Sequence, residues 1–452
     1  MKNRRRQQPA KRKLPSTAKT PAEPTQLVQI EKAIYGGAFL ARVEGKAVFV
    51  PLTLLGETAK VRITEEKRGY ATAEVDEIAT TSDERVVPAC RHFGTCGGCH
   101  YQHTGYAMQL TLKHAILRET LIRGGVPAPE KPELLAGTEA EAWGYRNRIR
   151  LAFDAKGNPG YRGRRSNAVV PIAECPIAAP LLVRAAFAFA ELAQKAAPQL
   201  RAEELSLFCN ATETALLATV FVSSASSGTV DALASAMAER VPELKGIELA
   251  TAVGGHSREQ GQRTIARWGE THLAYRAAGF DYRVDHGAFF QVNRRVVDAL
   301  VERVTKGRKG ALAWDMFAGV GLFARKLTEG FERVVAIESA PSATSGLQAN
   351  LHGTTGSSVQ AWTLEFLRGK SKHEHPDLIV VDPPRAGLGA EITTALVDIG
   401  PPAITYVSCD PTTLARDLRM LLASGYTIET LMLADLFPQT FHLETVVHLR
   451  RA

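Results

Sequence analysis

The stretch "AWDMFAGVGLFARKL", residues 313–327, decides the fold. An apolar strand runs into a loop with two glycines, Gly319 and Gly321, and a helical pattern follows at once. Glycines let such a loop pass close to a ligand at the start of a helix. Further apolar strands, "RVVAIE", "DLIVVD" and "AITYVSC", alternate with helical stretches. This alternation predicts an α/β fold whose parallel sheet is covered by helices on both faces.

Two acidic residues stand where strands of this sheet end. Glu338 closes "RVVAIE", 17 residues after Gly321, and Asp382 begins the loop in "VVDPPRAGL". An acid at the first position can bind ribose hydroxyls, and ligands bind at this carboxyl edge. A dehydrogenase stays possible, because Ala324 is tolerated as the third position of the glycine motif. The two prolines after Asp382 resemble those that methyltransferases place beside a flat base, which favours S-adenosylmethionine as the cofactor.

The stretch "YVSCDPTTL", residues 406–414, ends a later strand with Cys409 at the same edge. One interpretation is a buried structural thiol. The other is a nucleophile that adds to C6 of uracil, so that C5 can attack a sulfonium methyl group before a base removes the C5 proton. Such a thiolate needs neighbouring charges or helix-terminus amides that favour it. Glu444, in "FPQTFHLETVVHLRR", is an available carboxylate.

Four of the six cysteines form a pattern. Cys90, Cys96 and Cys99 lie in "CRHFGTCGGC", and Cys175 lies in "AECPI". Four thiolates suit a [4Fe–4S] cluster or a tetrahedral zinc ion. Because zinc sites usually use two close pairs, three clustered cysteines and a distant one favour iron–sulfur, while zinc and unligated thiols stay open. Cys209, in an apolar stretch, is expected in the core.

Length and charge suggest how the chain is divided. A chain of 452 residues is expected to form two or three domains. The first 20 residues hold eight Lys or Arg and no acid, and the other 47 basic residues balance the 47 acids. We therefore expect a basic disordered tail over residues 1–24, suited to a polyanion or to solubility alone.

Three folded segments are expected after the tail. Short alternating strands predict an OB-like barrel over residues 25–85. A central α+β domain, 86–275, carries the cysteines, and the Rossmann-like domain occupies 276–452. No apolar run is long enough to span a membrane, and the basic N-terminus lacks the apolar core of a secretory signal. We therefore expect a cytoplasmic protein with no membrane partner.

Six motifs, in order, resemble those of the RNA uracil-5-methyltransferases: "CRHFGTCGGC", "GAFFQVN", "DMFAGVGLF", "VVDPPRAGL", "YVSCDPTTLARDL" and "FPQTFHLETV". The barrel resembles the TRAM domain that precedes some members. The resemblance implies an enzyme that methylates uracil C5 in RNA, with Cys409 as nucleophile and Glu444 as the base for the C5 proton. It implies cofactor contacts from Gln291, Phe317, Glu338 and Asp382, and a [4Fe–4S] cluster on Cys90, Cys96, Cys99 and Cys175.

Some expectations remain open at this point. Leu322 stands where family members often have Asn, so one cofactor contact is in doubt. The barrel and the cysteines are typical of rRNA-directed members, which favours 23S rRNA over tRNA, and we expect a monomer. Two alternatives are an exocyclic-amine RNA methyltransferase and an inactive iron–sulfur RNA-binding protein. Arg385 argues against the first, because those enzymes usually carry an aromatic residue there.

Overall fold

The computed structural model describes residues 25–196, 200–223, 228–252, 262–370 and 374–452. The basic tail predicted over residues 1–24 lies outside these ranges. The strands in the described ranges form a closed barrel, a seven-stranded sheet, an eight-stranded sheet and a separate hairpin. None of the helices within them is long and apolar enough to cross a membrane.

The N-terminal unit is a closed five-stranded barrel, as the sequence predicted. Its strands follow the order β1-β2-β3-β5-β4 around the barrel. Glu44 and Gly45 join β2 to β3 with φ angles of 49° and 81°, the left-handed conformation that a tight hairpin turn requires. The strands are β1 Gln26–Ala33, β2 Ala38–Val43, β3 Lys46–Pro51, β4 Thr58–Glu66 and β5 Tyr70–Thr80.

A long helix and a second sheet make up the middle of the chain. The sheet has the order β13-β12-β11-β10-β7-β8-β9. Helices α2 and α3 cover one of its faces, where they share a core with the inward-facing side chains of the strands. The elements are α1 Tyr106–Arg123, β6 Glu133–Leu135, a 3-10 turn Ala140–Ala142, β7 Arg148–Phe153, β8 Pro159–Arg162, β9 Val169–Pro171, α2 Pro180–Ala196, β10 Ala202–Cys209, β11 Leu216–Val222, α3 Gly228–Arg240, β12 Leu244–Ala252 and β13 Gln262–Gly269.

The C-terminal unit is the predicted α/β sheet. Its order is β18-β17-β16-β19-β20-β22-β21-β6, with β16 to β20 parallel and β22 antiparallel to both of its neighbours. The elements, preceded by a hairpin of β14 and β15, are β14 His272–Ala277, β15 Phe280–Asp285, α4 Val297–Thr305, β16 Gly310–Met316, α5 Leu322–Leu327, β17 Phe331–Glu338, α6 Pro341–Leu351, β18 Gly356–Gln360, α7 Thr363–Lys370, β19 Leu378–Val381, α8 Gly389–Ile399, β20 Ala403–Ser408, α9 Pro411–Ala423, β21 Tyr426–Ala434 and β22 Glu444–Arg451.

The units are joined more closely than the sequence suggested. Strand β6, from the middle of the chain, pairs with β21 and forms an edge of the C-terminal sheet. One hydrophobic core runs from Phe39 in the barrel through Leu117 of α1 to Trp314 of β16 and Leu418 of α9. Because this core is continuous, the barrel and α1 are held in a fixed position relative to the carboxyl edge of the sheet.

Candidate active site

The carboxyl edge of the sheet gathers the residues that the sequence singled out. The neighbouring strands β16, β19 and β20 end at this edge, and Phe317, Asp382 and Cys409 follow them directly. Strand β22 starts from the same edge, with Thr445 opposite Ser408 of β20. Its first residue, Glu444, is therefore brought next to Cys409.

Cys409 lies between the end of β20 and the start of α9. Asp410 caps that helix, because its Oδ1 accepts hydrogen bonds from the backbone N–H groups of Thr412 at 2.9 Å and Thr413 at 3.2 Å. Pro411 fits the first helical position, where no N–H is needed. The sequence "CDP" thus places a thiol immediately before a helix N-terminus, a position that favours a thiolate.

The thiol of Cys409 lies in an acidic, partly buried environment. Burial raises its pKa to about 12, and the nearby carboxylates of Glu444 and Asp382 contribute in the same direction. Burial also raises the pKa of Asp382 to about 7. The pKa of Glu444, which is 3% exposed, is raised by burial and by Asp382. The charges of the three groups interact, and each group is biased towards its neutral, protonated form.

The positively charged residue Arg385 also lies in this site, although the sequence did not predict a role for it there. Its guanidinium lowers the pKa of both Cys409 and Glu444, opposing burial. Arg385 Nη2 lies 3.2 Å from Nδ1 of His442, whose own pKa burial lowers to about 3. The neutral imidazole can therefore accept a hydrogen bond from the guanidinium and orient it. The signal in the sequence was "DPPR", in which Arg follows the two prolines.

The glycine loop contains three residues with positive φ angles. Phe317, Gly319 and Gly321 have φ angles of 61°, 56° and 88°, so the loop turns sharply between β16 and α5. Glu338 holds this turn, since its Oε2 accepts a hydrogen bond from the backbone N–H of Gly319 at 2.9 Å. A carboxylate has further lone pairs, which leaves Glu338 able to accept hydrogen bonds from a ligand. The side chain of Leu322 is packed in the core instead.

Three polar side chains lie at or beside the start of this loop. Gln291 Nε2 donates a hydrogen bond to Asp382 Oδ2 at 3.4 Å, which brings these two predicted cofactor residues together. Asp315, in β16, is fully buried and was missed by the sequence interpretation. Its Oδ2 accepts from the backbone N–H of Ala324 at 2.8 Å, while its Oδ1 has no hydrogen-bond partner in the described part of the chain. Burial raises the pKa of Asp315 to about 8.

Tyr35 brings the barrel into the site. This residue follows β1, and its hydroxyl lies 3.4 Å from the backbone oxygen of Cys409, to which it donates a hydrogen bond. The ring packs edge-on against Phe441, with 5.5 Å between ring centroids. Both contacts join residues that are more than 370 positions apart in the sequence, so no local pattern could have predicted them.

The four patterned cysteines lie near one another. The charge of a Cys175 thiolate raises the pKa of Cys90, Cys96 and Cys99, although burial is the larger cause for each. Tyr161 also lies close, with its hydroxyl 3.6 Å from Cys175 Sγ. Across the described ranges, however, no three His, Cys, Asp or Glu side chains are arranged as a metal site. Cys209 is fully buried, as expected of a core residue.

Family models match most of the described chain. The model for tRNA (uracil-5-)-methyltransferases matches residues 222–452, and the model for the TRAM domain matches residues 24–75. A protein of Streptomyces avermitilis, named as an uncharacterized RNA methyltransferase, is 34% identical over 94% of this chain and 98% of its own length. A protein of Halomonas elongata, named 23S rRNA (uracil(1939)-C(5))-methyltransferase RlmD, is 29% identical over 92% of this chain and 88% of its own.

A solved structure has the same fold. The tRNA (uracil-54, C5)-methyltransferase of Pyrococcus abyssi, in complex with S-adenosyl-L-homocysteine, gives a TM-score of 0.75 at 24% identity. The match covers 93% of this chain and 99% of that one.

The fold and the carboxyl edge therefore define a methyltransferase of the α/β class. The chain belongs to the uracil-5-methyltransferase family of RNA-modifying enzymes. Its reaction is the transfer of a methyl group from S-adenosylmethionine to uracil C5 in RNA, and its N-terminal barrel is a TRAM domain.

Proposed function

We propose that this enzyme methylates C5 of a uridine in 23S rRNA through a covalent bond between Cys409 and uracil C6. The observation that carries the proposal is the meeting of Cys409, Glu444 and Asp382 at one sheet edge, beside the glycine loop. A purely structural thiol would not need two carboxylates and a guanidinium around it, nor a place before a helix N-terminus.

The side chains of this site have distinct tasks in the reaction. Cys409 Sγ gives its proton to water, aided by Arg385 and the start of α9, and the thiolate bonds to C6. The C5=C6 double bond opens, and C5, now nucleophilic, takes the methyl group. Glu444 then accepts the C5 proton, the C5=C6 bond forms again, and the C6–S bond breaks to release the thiolate. Burial raises the pKa of Glu444, so its carboxylate is a stronger base once ionised, and Arg385 favours that ionised form.

The cofactor would be held at the glycine loop and the neighbouring strand ends. S-adenosylmethionine, when bound, supplies the methyl group from a positively charged sulfonium. Glu338 would accept hydrogen bonds from the ribose hydroxyls, and Phe317 would pack against the cofactor at the turn. Gln291 and Asp382 form a polar pair that fits the amino-acid end or the transferred methyl group. At Leu322 only the backbone is available for a cofactor contact.

The choice of 23S rRNA rests on two features. The Halomonas elongata relative, matched over nearly its full length, is named for that substrate, and a TRAM domain precedes the catalytic part in this chain.

Phe289 is 60% exposed beside Gln291, where it can stack on a base that has left its helix. A ribosomal RNA substrate also implies that the enzyme acts in the cytoplasm. We propose that it works there as a monomer.

The experiment that tests this substrate is nucleoside analysis by mass spectrometry. Unmodified 23S rRNA fragments and unmodified tRNA are incubated separately with the enzyme and S-adenosylmethionine. We expect 5-methyluridine in the rRNA and none in the tRNA, and none in either with Cys409→Ala. Cys209→Ala, a substitution of the buried core thiol, is the matched control and should keep activity. Methylation of tRNA alone, or of an exocyclic amine, would overturn the proposal.

We further propose that Cys90, Cys96, Cys99 and Cys175 hold a [4Fe–4S] cluster. The support is the donor set and the proximity of each of the first three thiols to Cys175. Burial raises the pKa of Cys90, Cys96 and Cys99, to about 12 for Cys99, so a bound cation would be needed to stabilise these three side chains as thiolates. Anaerobic purification should give iron and acid-labile sulfide in equal amounts. Zinc without sulfide, or no metal at all, would contradict this assignment.

We also propose a division of the chain into four parts: a tail, 1–24, and the folded segments 25–85, 86–275 and 276–452. Strand β14 covers 272–277, so the last boundary falls inside a hairpin strand. Limited proteolysis should cut first in the tail and leave the three folded segments together, because they share one core. Rapid release of an intact fragment 276–452 would count against that expectation.

A further inference from the structure

The loop that delivers Glu444 to the active site is held by buried hydrogen bonds from a distant part of the chain. This loop, residues 435–443, connects β21 to β22 and ends next to Glu444. Asp435 and Gln439 are 1% and 2% exposed. Gln439 has a φ of 67°, a strained conformation for a residue that is not glycine, and it persists only where the surroundings impose it.

Gln109 of α1 makes a two-way contact with the middle of this loop. Its Oε1 accepts a hydrogen bond from the backbone N–H of Gln439 at 2.9 Å. Its Nε2 donates to Oε1 of the same Gln439, also at 2.9 Å. Gln109 is itself 1% exposed, and the backbone oxygens of Tyr101 and Thr104 also lie within hydrogen-bond distance of its Nε2, so its two amide hydrogens are shared among three acceptors.

The segment just after Cys99 also forms hydrogen bonds with Gln439. The backbone N–H groups of His100 and Tyr101 both donate to the backbone oxygen of Gln439, at 2.8 and 3.1 Å. The backbone N–H, the backbone C=O and the side chain of Gln439 are therefore all bonded to residues 100–109. The cysteine-bearing segment is thus tied directly to the loop that ends at Glu444.

The start of the loop is fixed by the same helix. Lys113 Nζ donates to Asp435 Oδ1 at 2.5 Å and to the backbone oxygen of Phe437 at 2.9 Å. Tyr106 donates its hydroxyl proton to Asp435 Oδ2 at 2.8 Å. Lys113 and Asp435 have fully buried side chains, which makes this ion pair costly to break from either side.

We propose that Gln109 is a positioning residue for Glu444, acting through Gln439, and that its main effect is on removal of the C5 proton. None of these contacts reaches Cys409 or the glycine loop. Loosening them moves Glu444 directly but reaches Cys409 only indirectly, through His442 and Arg385, so we expect thiol attack and methyl transfer to be less affected. The step that slows is removal of the C5 proton, which needs a carboxylate within hydrogen-bond reach of C5. A shift of this base by about 1 Å can cost on the order of a hundredfold in rate.

The inference rests on the proposed Cys409–Glu444 mechanism, and one assay separates the two. Gln109→Leu keeps the volume of the side chain but removes both bonds to Gln439. Gln439→Gly keeps the backbone bonds and relieves the positive φ, but loses the side-chain bond to Gln109. The control is Thr111→Ala, which removes an exposed hydroxyl bonded only within α1. Each variant is mixed with RNA and S-adenosylmethionine, and covalent protein–RNA product is measured on denaturing gels beside Glu444→Gln.

We expect Gln109→Leu to lower kcat by roughly tenfold to a hundredfold, to lower KM in parallel because the intermediate builds up, and to accumulate methylated covalent adduct. Gln439→Gly should do the same more weakly, and Thr111→Ala should match wild type. If Glu444→Gln accumulates adduct but neither Gln109→Leu nor Gln439→Gly does, while both fold normally by circular dichroism, Gln109 is merely structural. If Glu444→Gln itself accumulates no adduct, the proposed mechanism fails instead, whatever Gln109 does.

Discussion

Asp315→Asn should remove a specific pH dependence from the stability of the folded enzyme. Burial raises the pKa of Asp315 from 3.8 to about 8, and one of its oxygens lacks a hydrogen-bond partner in the described part of the chain. The folded state therefore keeps this proton over a range in which the unfolded chain has lost it. A carboxyl whose folded pKa is raised contributes stability that is complete below its unfolded pKa and disappears as pH rises through its folded pKa.

The magnitude follows from the size of this window. Between pH 5 and pH 7 the folded protein holds about one more proton at Asp315 than the unfolded chain. The free energy of unfolding then falls by about 1.4 kcal/mol per pH unit, or roughly 2.7 kcal/mol across the two units. Above about pH 8 the loss levels off. Asn has nearly the same shape and cannot ionise, so the variant lacks this slope.

The assay is urea unfolding at pH 5, 6 and 7, followed by tryptophan fluorescence. Trp314 is next to Asp315 and is fully buried, so it reports on this part of the sheet. Asp382 and Glu444 titrate in both proteins and cancel in the difference. We expect the variant to gain stability relative to wild type by more than 1 kcal/mol per pH unit. Parallel loss of stability in the two proteins would refute the reasoning, because Asp315 would then be ionised in the fold.

Three further changes have defined outcomes. Arg385→Met should raise the pKa of Cys409 further, because a cation that favours the thiolate is lost. We expect alkylation of the Cys409 peptide to slow by roughly threefold to tenfold at neutral pH and to recover at higher pH. Arg419→Met, at an exposed position of α9, should alkylate at the wild-type rate, and an unchanged rate for Arg385→Met would contradict the role of Arg385. Gly321→Ala should weaken S-adenosylhomocysteine binding by about tenfold or more in calorimetry, because φ is 88° and the new Cβ would lie 2.7 Å from Leu347 Cδ1. Gly353→Ala, at φ 72° with open space around it, is the control and should bind normally. Lys113→Met should lower the free energy of unfolding by about 3–5 kcal/mol, because it leaves the buried charge of Asp435 without a partner. Adding Asp435→Asn should restore part of this stability. A further, additive loss in the double variant would show that no buried charge had been left unpaired.

The sequence predicted the fold where the pattern is local. The alternation of apolar strands and helices from Ala313 onward predicted the parallel sheet, and the short alternating strands of residues 25–85 predicted the barrel. Both depend on periods and turn residues that are visible within a few positions. The resemblance to the methyltransferase family, carried by six ordered motifs, is confirmed by the family models.

The contacts between distant segments could not be predicted in the same way. Strand β6 has only three residues, and its place on the catalytic sheet depends on pairing with β21, about 300 positions later. Tyr35 and Gln109 act on the site from the barrel and from α1, and neither belongs to a motif that indicates catalysis. Asp315 was visible inside the glycine-loop motif, but its burial and unpartnered oxygen are properties of the packed sheet.

The assigned roles of Cys409 and Glu444 are still predictions, although the structure places the two residues at one edge. The measurement that tests them most directly is the mass of the protein–RNA product formed by Glu444→Gln with S-adenosylmethionine and the 23S rRNA fragment. After nuclease and protease digestion, we predict a peptide whose Cys409 carries a methylated uridine nucleotide. Free 5-methyluridine at the wild-type rate with no modified peptide, or a nucleotide attached to another residue, would contradict the account.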